Sequence, residues 1–227
     1  MGKRILAVAT NCGPQVHYGQ TGLWLSELTH FTHEIARAGH EVTVASPKGG
    51  KIPLDVRSTS KGQMSDPANQ AFLSDPRTRD SLENSAAAGD LKASDFDLIY
   101  LSGGHGTMWD FRQSPELQRL ITEMYSSGKL VTGVCHGVAG FIDSVDRDGN
   151  SIVKGKKVTG FSNFEDRLAG SLKYMPYLLE TDIKAKGALY RKNLIPFTPR
   201  VEEEGNLLTG QNPQSAKSLA LRSLQRL

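Results

Sequence analysis

Four short runs dense in aliphatic residues, Lys3–Thr10, Glu41–Ser46, Asp97–Ser102 and Lys129–Val134, constrain this chain more than any other feature. They are compact and nearly continuous in apolar character, as expected of strands covered on both faces of a parallel sheet. Helical spacing separates several of them. Trp24, Leu28, Phe31 and Ile35 form one stripe ending at Gly39, and Leu117, Leu120, Ile121 and Met124 form another ending at Gly128. A glycine just past the stripe suits a helix C-terminus. Strands alternating with helices imply right-handed crossovers and a doubly wound α/β sheet that binds ligands at the carboxyl ends of its strands. The length of 227 residues suits one such domain.

Between Lys48 and Ser94 the pattern weakens into a polar excursion with short helical pieces. It is too long for an ordinary α/β connection, so it is expected to cover a sheet edge, a partner surface or the site. Farther along, Lys157–Gly160 reads as a short strand, Arg200–Glu203 and Asn206–Gly210 as a hairpin, and Pro213–Leu227 as a terminal helix. The 27 basic and 24 acidic residues are interspersed, with no basic stripe carrying aromatics, so nothing supports nucleic-acid binding. Two cysteines are too few for a disulfide framework. The first apolar run soon meets Asn11, Gly13 and Pro14, too early for a signal peptide, and no later run has membrane-spanning length. A soluble, cytoplasmic protein is the expectation.

Chemistry concentrates at Gly133-Val134-Cys135-His136-Gly137, which has the Gly-x-nucleophile-x-Gly spacing of a strand-to-helix elbow. Such a turn aims its central side chain into the crevice, beneath amide donors that stabilise a thiolate. The competing reading is a small buried hydrophobe, which describes most free cysteines. None of the six histidines follows His136, which excludes hydrolases and amidotransferases with a distant downstream histidine. The imidazole partner of Cys135 is therefore His136 or an upstream residue. His30, His33 and His40 read as surface or structural residues. Gly103-Gly104-His105-Gly106 follows a strand, and its amides could form an oxyanion hole with that of His136. A plain tight turn is the alternative. Glu27 lies at the edge of the first helical stripe, where partial burial would raise its pKa and make it a proton donor and acceptor for Cys135. Glu165 or Asp166 could orient His136. Cys12 ends the first strand as a resolving thiol or, preferably, a turn residue. The histidines lack paired ligand spacing, so no metal is expected.

The chain resembles the DJ-1/PfpI superfamily, and within it the Hsp31-like glyoxalase III group. The matching segments include Thr21–Glu27, Ala45–Gly50, Ser102–Asp110, Val134–Gly137, Val158–Phe161 and Leu208–Pro213. The resemblance implies a flavodoxin-like α/β fold with helices on both faces of a mostly parallel sheet, a homodimer, and no cofactor. It implies Cys135 as nucleophile, Glu27 as its carboxyl partner, and His136 with an acid after Phe161. Spacing from Phe161 favours Asp166, with Glu165 the alternative. Gly103, Gly104 and His105 would bind substrate or oxyanion. The implied reaction takes a small dicarbonyl, methylglyoxal or glyoxal, to its hydroxy acid. The alternatives are a holdase for unfolded client proteins, a cysteine redox sensor and a PfpI-type peptidase or amidase. Val138 departs from the usual proline after Cys-His-Gly, and Asp166 stands where close relatives commonly have glutamate.

Overall fold

A computed structural model describes residues 2–227. In chain order its strands and helices are β1 Arg4–Val8, β2 Gln15–Val16, β3 Gly19–Gln20, α1 Leu25–Arg37, β4 Glu41–Ser46, α2 Lys61–Met64, α3 Pro67–Ser74, α4 Pro76–Glu83, β5 Ala86–Ala87, β6 Leu98–Leu101, α5 Thr107–Asp110, α6 Pro115–Ser126, β7 Leu130–Val134, β8 Lys157–Val158, α7 Asn163–Leu168, α8 Leu179–Ala185, β9 Leu189–Tyr190, β10 Val201–Glu204, β11 Leu207–Gly210 and α9 Ala216–Leu224. Seven strands form one sheet in the order β10-β11-β7-β6-β1-β4-β5, parallel except for the β10–β11 hairpin. This is the flavodoxin-like arrangement expected from the alternating runs.

Burial explains the continuous apolar runs. β6 and β7 are buried at every position, and β1 at all but Arg4. Helices pack around the sheet: α1 against α9 and β4, α9 against β7 and β11, and α6 against β6 and β7. The Phe31 ring stacks on Tyr100 with centroids 3.6 Å apart. The Tyr100 hydroxyl also donates to the Glu27 carbonyl oxygen at 2.7 Å, pinning the first turn of α1 to β6. Gly39 and Gly128, with φ of +81° and +75°, end α1 and α6 as their spacing predicts. The starts of α3, α4 and α6 share one device: Asp66, Asp75 or Ser114 caps free amides, and proline follows in the first turn.

Two segments differ from the sequence expectation. The strand at Lys157–Gly160 shortens to Lys157–Val158 and pairs with β9 in a separate two-stranded sheet. The Gly160 carbonyl is taken by the Tyr190 hydroxyl and the Phe161 amide by the Cys135 carbonyl, so the chain leaves strand geometry there. The terminal helix begins later, because Asn212 first caps a 3₁₀ turn over Pro213–Ser215. Residues 48–94 hold three short helices and β5, which extends the sheet edge beyond β4. Before the first of these helices the segment also sends Asp55 and Arg57 toward the strands' carboxyl ends. Those ends gather the functional loops: the chain changes side between adjacent β1 and β6, the position where open α/β sheets form their crevice.

Candidate active site

β7 ends in a strained turn. Cys135 has a φ of +55°, unusual for any residue but glycine, at a cost of about 1–3 kcal/mol. The flanking glycines permit it. A Cβ at Gly137 would sit 2.4 Å from the Leu101 carbonyl oxygen, and one at Gly133 would sit 2.9 Å from the Phe141 ring. Beyond the elbow the chain continues as a 3₁₀ helix, Cys135–Phe141, with Val138 fully buried in it. The helix that the elbow spacing implies is thus of the 3₁₀ type; Gly137 and Gly140 lie close against Leu101, which favours the tighter coil. Cys135 is 3% exposed at the floor of a cavity of about 210 Å³ walled by Trp24, Phe161 and Phe197. The His136 backbone N–H faces its sulfur.

Glu27 is fully buried rather than partly so, because Gly103 closes over it. The Gly103 amide donates to Glu27 Oε2 at 2.8 Å, while Oε1 has no hydrogen-bond partner of good geometry. A methyl group on Gly103 would lie 2.4 Å from that carboxylate and 2.9 Å from the Cys135 Cβ, so only glycine lets carboxyl and thiol meet. Burial dominates the electrostatics. It pushes the Glu27 carboxyl up to about 8, against the lowering effects of Cys135 and the Gly103 amide. Burial also pushes the Cys135 thiol up, and an ionised Glu27 pushes it further. A protonated Glu27 removes that repulsion and can donate to the sulfur.

On the other side of the sulfur, His136 presents Nδ1 at 3.5 Å from Sγ. Its Nε2 donates to Asp166 Oδ2 at 3.0 Å, so Asp166 is the acid that reaches His136 despite its short side chain. Glu165 does different work. It accepts from the Ser162 amide and hydroxyl, the Phe197 amide and Asn212 Nδ2, tying α7 to the loop before β10. The second oxygen of Asp166 accepts His105 Nε2 at 3.0 Å and the Ser171 hydroxyl at 2.9 Å. Burial alone would raise Asp166, but the two imidazoles hold it well below the usual carboxylate range. Burial lowers His136 in spite of Asp166. Burial would also lower His105, yet Asp166 and nearby Asp55 outweigh it, and its pKa rises.

The sequence reading missed three residues: Tyr18, Asp55 and Arg57. Arg57 Nη2 lies 3.1 Å from His105 Nδ1 and donates to the Tyr18 hydroxyl at 2.8 Å, with the guanidinium 3.6 Å from the centre of the Tyr18 ring. Asp55 accepts from the Arg57 amide and from Thr21. No motif marks these residues; the unusual length of the 48–94 segment was the one signal for Asp55 and Arg57, and Tyr18 carried none. Gly104 borders the cavity beside His105. Its φ of +102°, and a Cβ position only 2.2 Å from the Gly22 carbonyl oxygen, require glycine there. Cys12 is only half-buried, beside Asp110 and Thr10; burial and then Asp110 raise its thiol to about 11. That environment suits a turn thiol. His30 pairs with Asp66 at 3.0 Å, and His40 accepts the Lys3 amide.

His105, His136 and Asp166 bring three metal-ligating atoms within 4.8 Å of one another, although no sequence spacing announces it. Both carboxylate oxygens already accept imidazole N–H groups, so a cation would have to displace both protons. The donor set fits an ion-pair trio better.

Residues 20–226 match the model of the DJ-1/PfpI family, and with this fold and elbow the chain belongs to that family. Within it the chain groups, at about 30% identity, with the Hsp31-like glutathione-independent glyoxalases. It is 32% identical over 218 residues to "Glutathione-independent glyoxalase HSP31" of Saccharomyces cerevisiae, spanning 92% of this chain and 90% of that protein. The crystal structure of glyoxalase III from Candida albicans superposes with a TM-score of 0.92 at 28% identity, covering 98% of this chain and 96% of that one. The Rapid Encystment Protein 24 kDa of Francisella tularensis superposes with a TM-score of 0.93 at 34% identity, covering 98% of each chain. No helix among the described residues is long and apolar enough to cross a membrane.

Proposed function

We propose that the protein converts methylglyoxal, and glyoxal, to lactate and glycolate without glutathione or any other cofactor. The observation that carries this is one sulfur flanked by two proton-handling groups of different kind: His136 Nδ1 at 3.5 Å and the buried Glu27 carboxyl. In the first step Cys135 Sγ bonds to the aldehyde carbon while the thiol proton passes to His136. The Gly104 and His136 amides would hold the resulting oxyanion. His136 returns that proton to the oxyanion and, neutral again, removes the hydrogen from that carbon while the protonated Glu27 donates to the ketone oxygen. The resulting enediol takes the hydrogen back from His136 at the adjacent carbon and returns its other hydroxyl proton to Glu27. The product of that shift is a thioester. Water cleaves it, releasing the hydroxy acid and restoring the thiol. A cysteine suits this sequence because sulfur both attacks and leaves readily. The small, apolar-walled cavity supports a compact substrate over a peptide.

The test is thiol-free and metal-free: methylglyoxal with the purified protein and with Cys135→Ala, following aldehyde loss and lactate. Lactate from the unaltered protein alone is expected. Its absence from both would sink the reading. A client-holding role has one observation in its favour, the exposed apolar side chains Leu194, Ile195, Phe164 and Leu168. Suppression of client aggregation that survives Cys135→Ala would support it.

A further inference from the structure

His105 is bound into the site more tightly than a loop residue beside an oxyanion hole needs to be. Its side chain is 5% exposed, with the ring centroid 4.4 Å from that of His136. Both Nε2 atoms lie 3.0 Å from oxygens of the same carboxylate, one on each oxygen of Asp166. The two imidazoles thus share one anion, and their remaining nitrogens face opposite ways. His136 Nδ1 faces the Cys135 sulfur, whereas His105 Nδ1 faces Arg57 Nη2 at 3.1 Å and the Tyr18 hydroxyl at 3.3 Å.

We propose that His105 is a positioning residue for the Cys135–His136 pair: it fixes the Asp166 carboxylate for His136, and it competes with His136 for the one proton that this carboxylate can stabilise. Two imidazolium ions this close, with one carboxylate between them, repel each other in a buried site. When His136 takes the thiol proton from Cys135, no new bond to carbon is needed; the imidazolium simply requires Asp166 as its counter-ion. A proton already on His105 weakens that counter-ion. The groups facing His105 are Asp166 from α7, His136 from the elbow, Tyr18 from the β2–β3 hairpin, and Asp55 and Arg57 from the segment after β4. Asp55 Oδ2, 3.9 Å from Nδ1, favours the charged ring, and the Arg57 guanidinium opposes it. Glu27, from α1, perturbs the sulfur electrostatically and makes no hydrogen bond to this trio. Arg57 therefore ties the cavity mouth to the reactivity of a cysteine it does not touch.

The inference rests on Cys135 and His136 as the reacting pair, and not on the identity of the substrate. Its test accordingly uses iodoacetamide, with alkylation of Cys135 read by peptide mass across neutral pH, and nitrogen-detected titration of the His136 ring. His105→Gln keeps a donor for Asp166 and removes the competing charge. The His136 midpoint is expected to rise by about one pH unit or more. His105→Leu leaves Asp166 Oδ1 with Ser171 alone, and alkylation at neutral pH should fall by about 10²-fold as His136 loses its orientation. Glutamine should restore most of that rate. An unchanged His136 midpoint in His105→Gln overturns the proposal, whatever the leucine variant does. Failure of the glyoxalase reading would leave both measurements intact.

Discussion

Replacing Glu27 by glutamine should make the protein more stable while disabling it, and the gain should grow with pH. The carboxyl is fully buried, and burial raises it from an ordinary 4.5 to about 8. In the unfolded chain it ionises near its ordinary value. Between those two values the folded state therefore holds a proton that the unfolded state has released. The sign follows: the contribution is favourable below the unfolded value and is lost as pH rises through the folded one. At 1.36 kcal/mol per unit, the loss is about 1 kcal/mol at pH 5, about 3 at pH 7 and close to 5 at pH 9. Glutamine has nearly the same shape, can still accept the Gly103 amide, and does not titrate. The stability of Glu27→Gln relative to the unaltered protein should climb by those amounts, because every other titrating group is common to both. Urea unfolding of the two proteins at several pH values measures the difference directly. For a chain of this size ~3 kcal/mol corresponds to about 6–12 °C in Tm. A difference that stays flat from pH 5 to pH 9 would refute the reasoning, because it would mean that Glu27 is not kept protonated by its surroundings. Turnover should fall by about 10²–10⁴-fold at every pH, as expected when a proton-transfer group is removed.

Gly103→Ala places a methyl group 2.4 Å from Glu27 Oε2; it should cost about 1–3 kcal/mol by overpacking and abolish turnover, read from urea unfolding beside the lactate assay. Asp166→Asn leaves an amide N–H facing one imidazole N–H and removes the counter-charge. It should lower kcat by about 10²–10⁴-fold with KM little changed, and kinetics at saturating substrate will check this. Glu165→Ala strands buried donors at Ser162, Phe197 and Asn212. It should destabilise the protein by about 2–5 kcal/mol and raise KM as the Phe197 wall loosens, measured by thermal melting and steady-state kinetics.

What the sequence made legible follows from how local each feature is. The runs at β1, β6 and β7 could be read because strands buried on both faces have no choice but to be apolar, whereas β4, next to the sheet edge, is only partly buried and mixes valine with threonine and serine. The elbow could be read because a positive φ at Cys135 leaves glycine as the tolerated neighbour at Gly133 and Gly137. Glu27 was placed on the right helix but with too little burial. Its seclusion comes from Gly103, seventy-six residues away, and helical periodicity carries no information about that closure. The residue pattern alone did not separate the adjacent acids Glu165 and Asp166; only spacing from Phe161, read through the family resemblance, favoured Asp166. They diverge because Ser162 and Glu165 form a capping box, which turns Glu165 back onto the helix start and leaves Asp166 to face the histidines. Asp55 and Arg57 were invisible, since they arrive from a polar stretch whose path is set by packing against α1 and the edge of the sheet.

The arrangement around the sulfur also accounts for why so much of it is dry. In the proposed reaction, a thiol that forms a bond to carbon and later breaks it needs one neighbour to accept its proton and another to handle protons on the substrate. Two ordinary groups in water would titrate at unsuitable values for both tasks: a free carboxyl is ionised long before neutrality, and a free imidazole is half-charged near it. Burial moves them in opposite senses, because it penalises whichever form is charged. It raises Glu27 to about 8, so that the carboxyl is an acid at neutral pH, and it lowers His136, so that the imidazole is a base. The same desolvation thus creates both roles, provided that the ion formed at His136 finds a partner. Asp166 supplies it, held ionised by His105 as well as by His136. Environments that push two groups apart in this way identify the acid and the base. On that argument the assignment of Glu27 as proton donor to the sulfur and His136 as its base depends on exclusion of water. Polar substitutions in the Phe161 or Phe197 walls should therefore blunt both roles together.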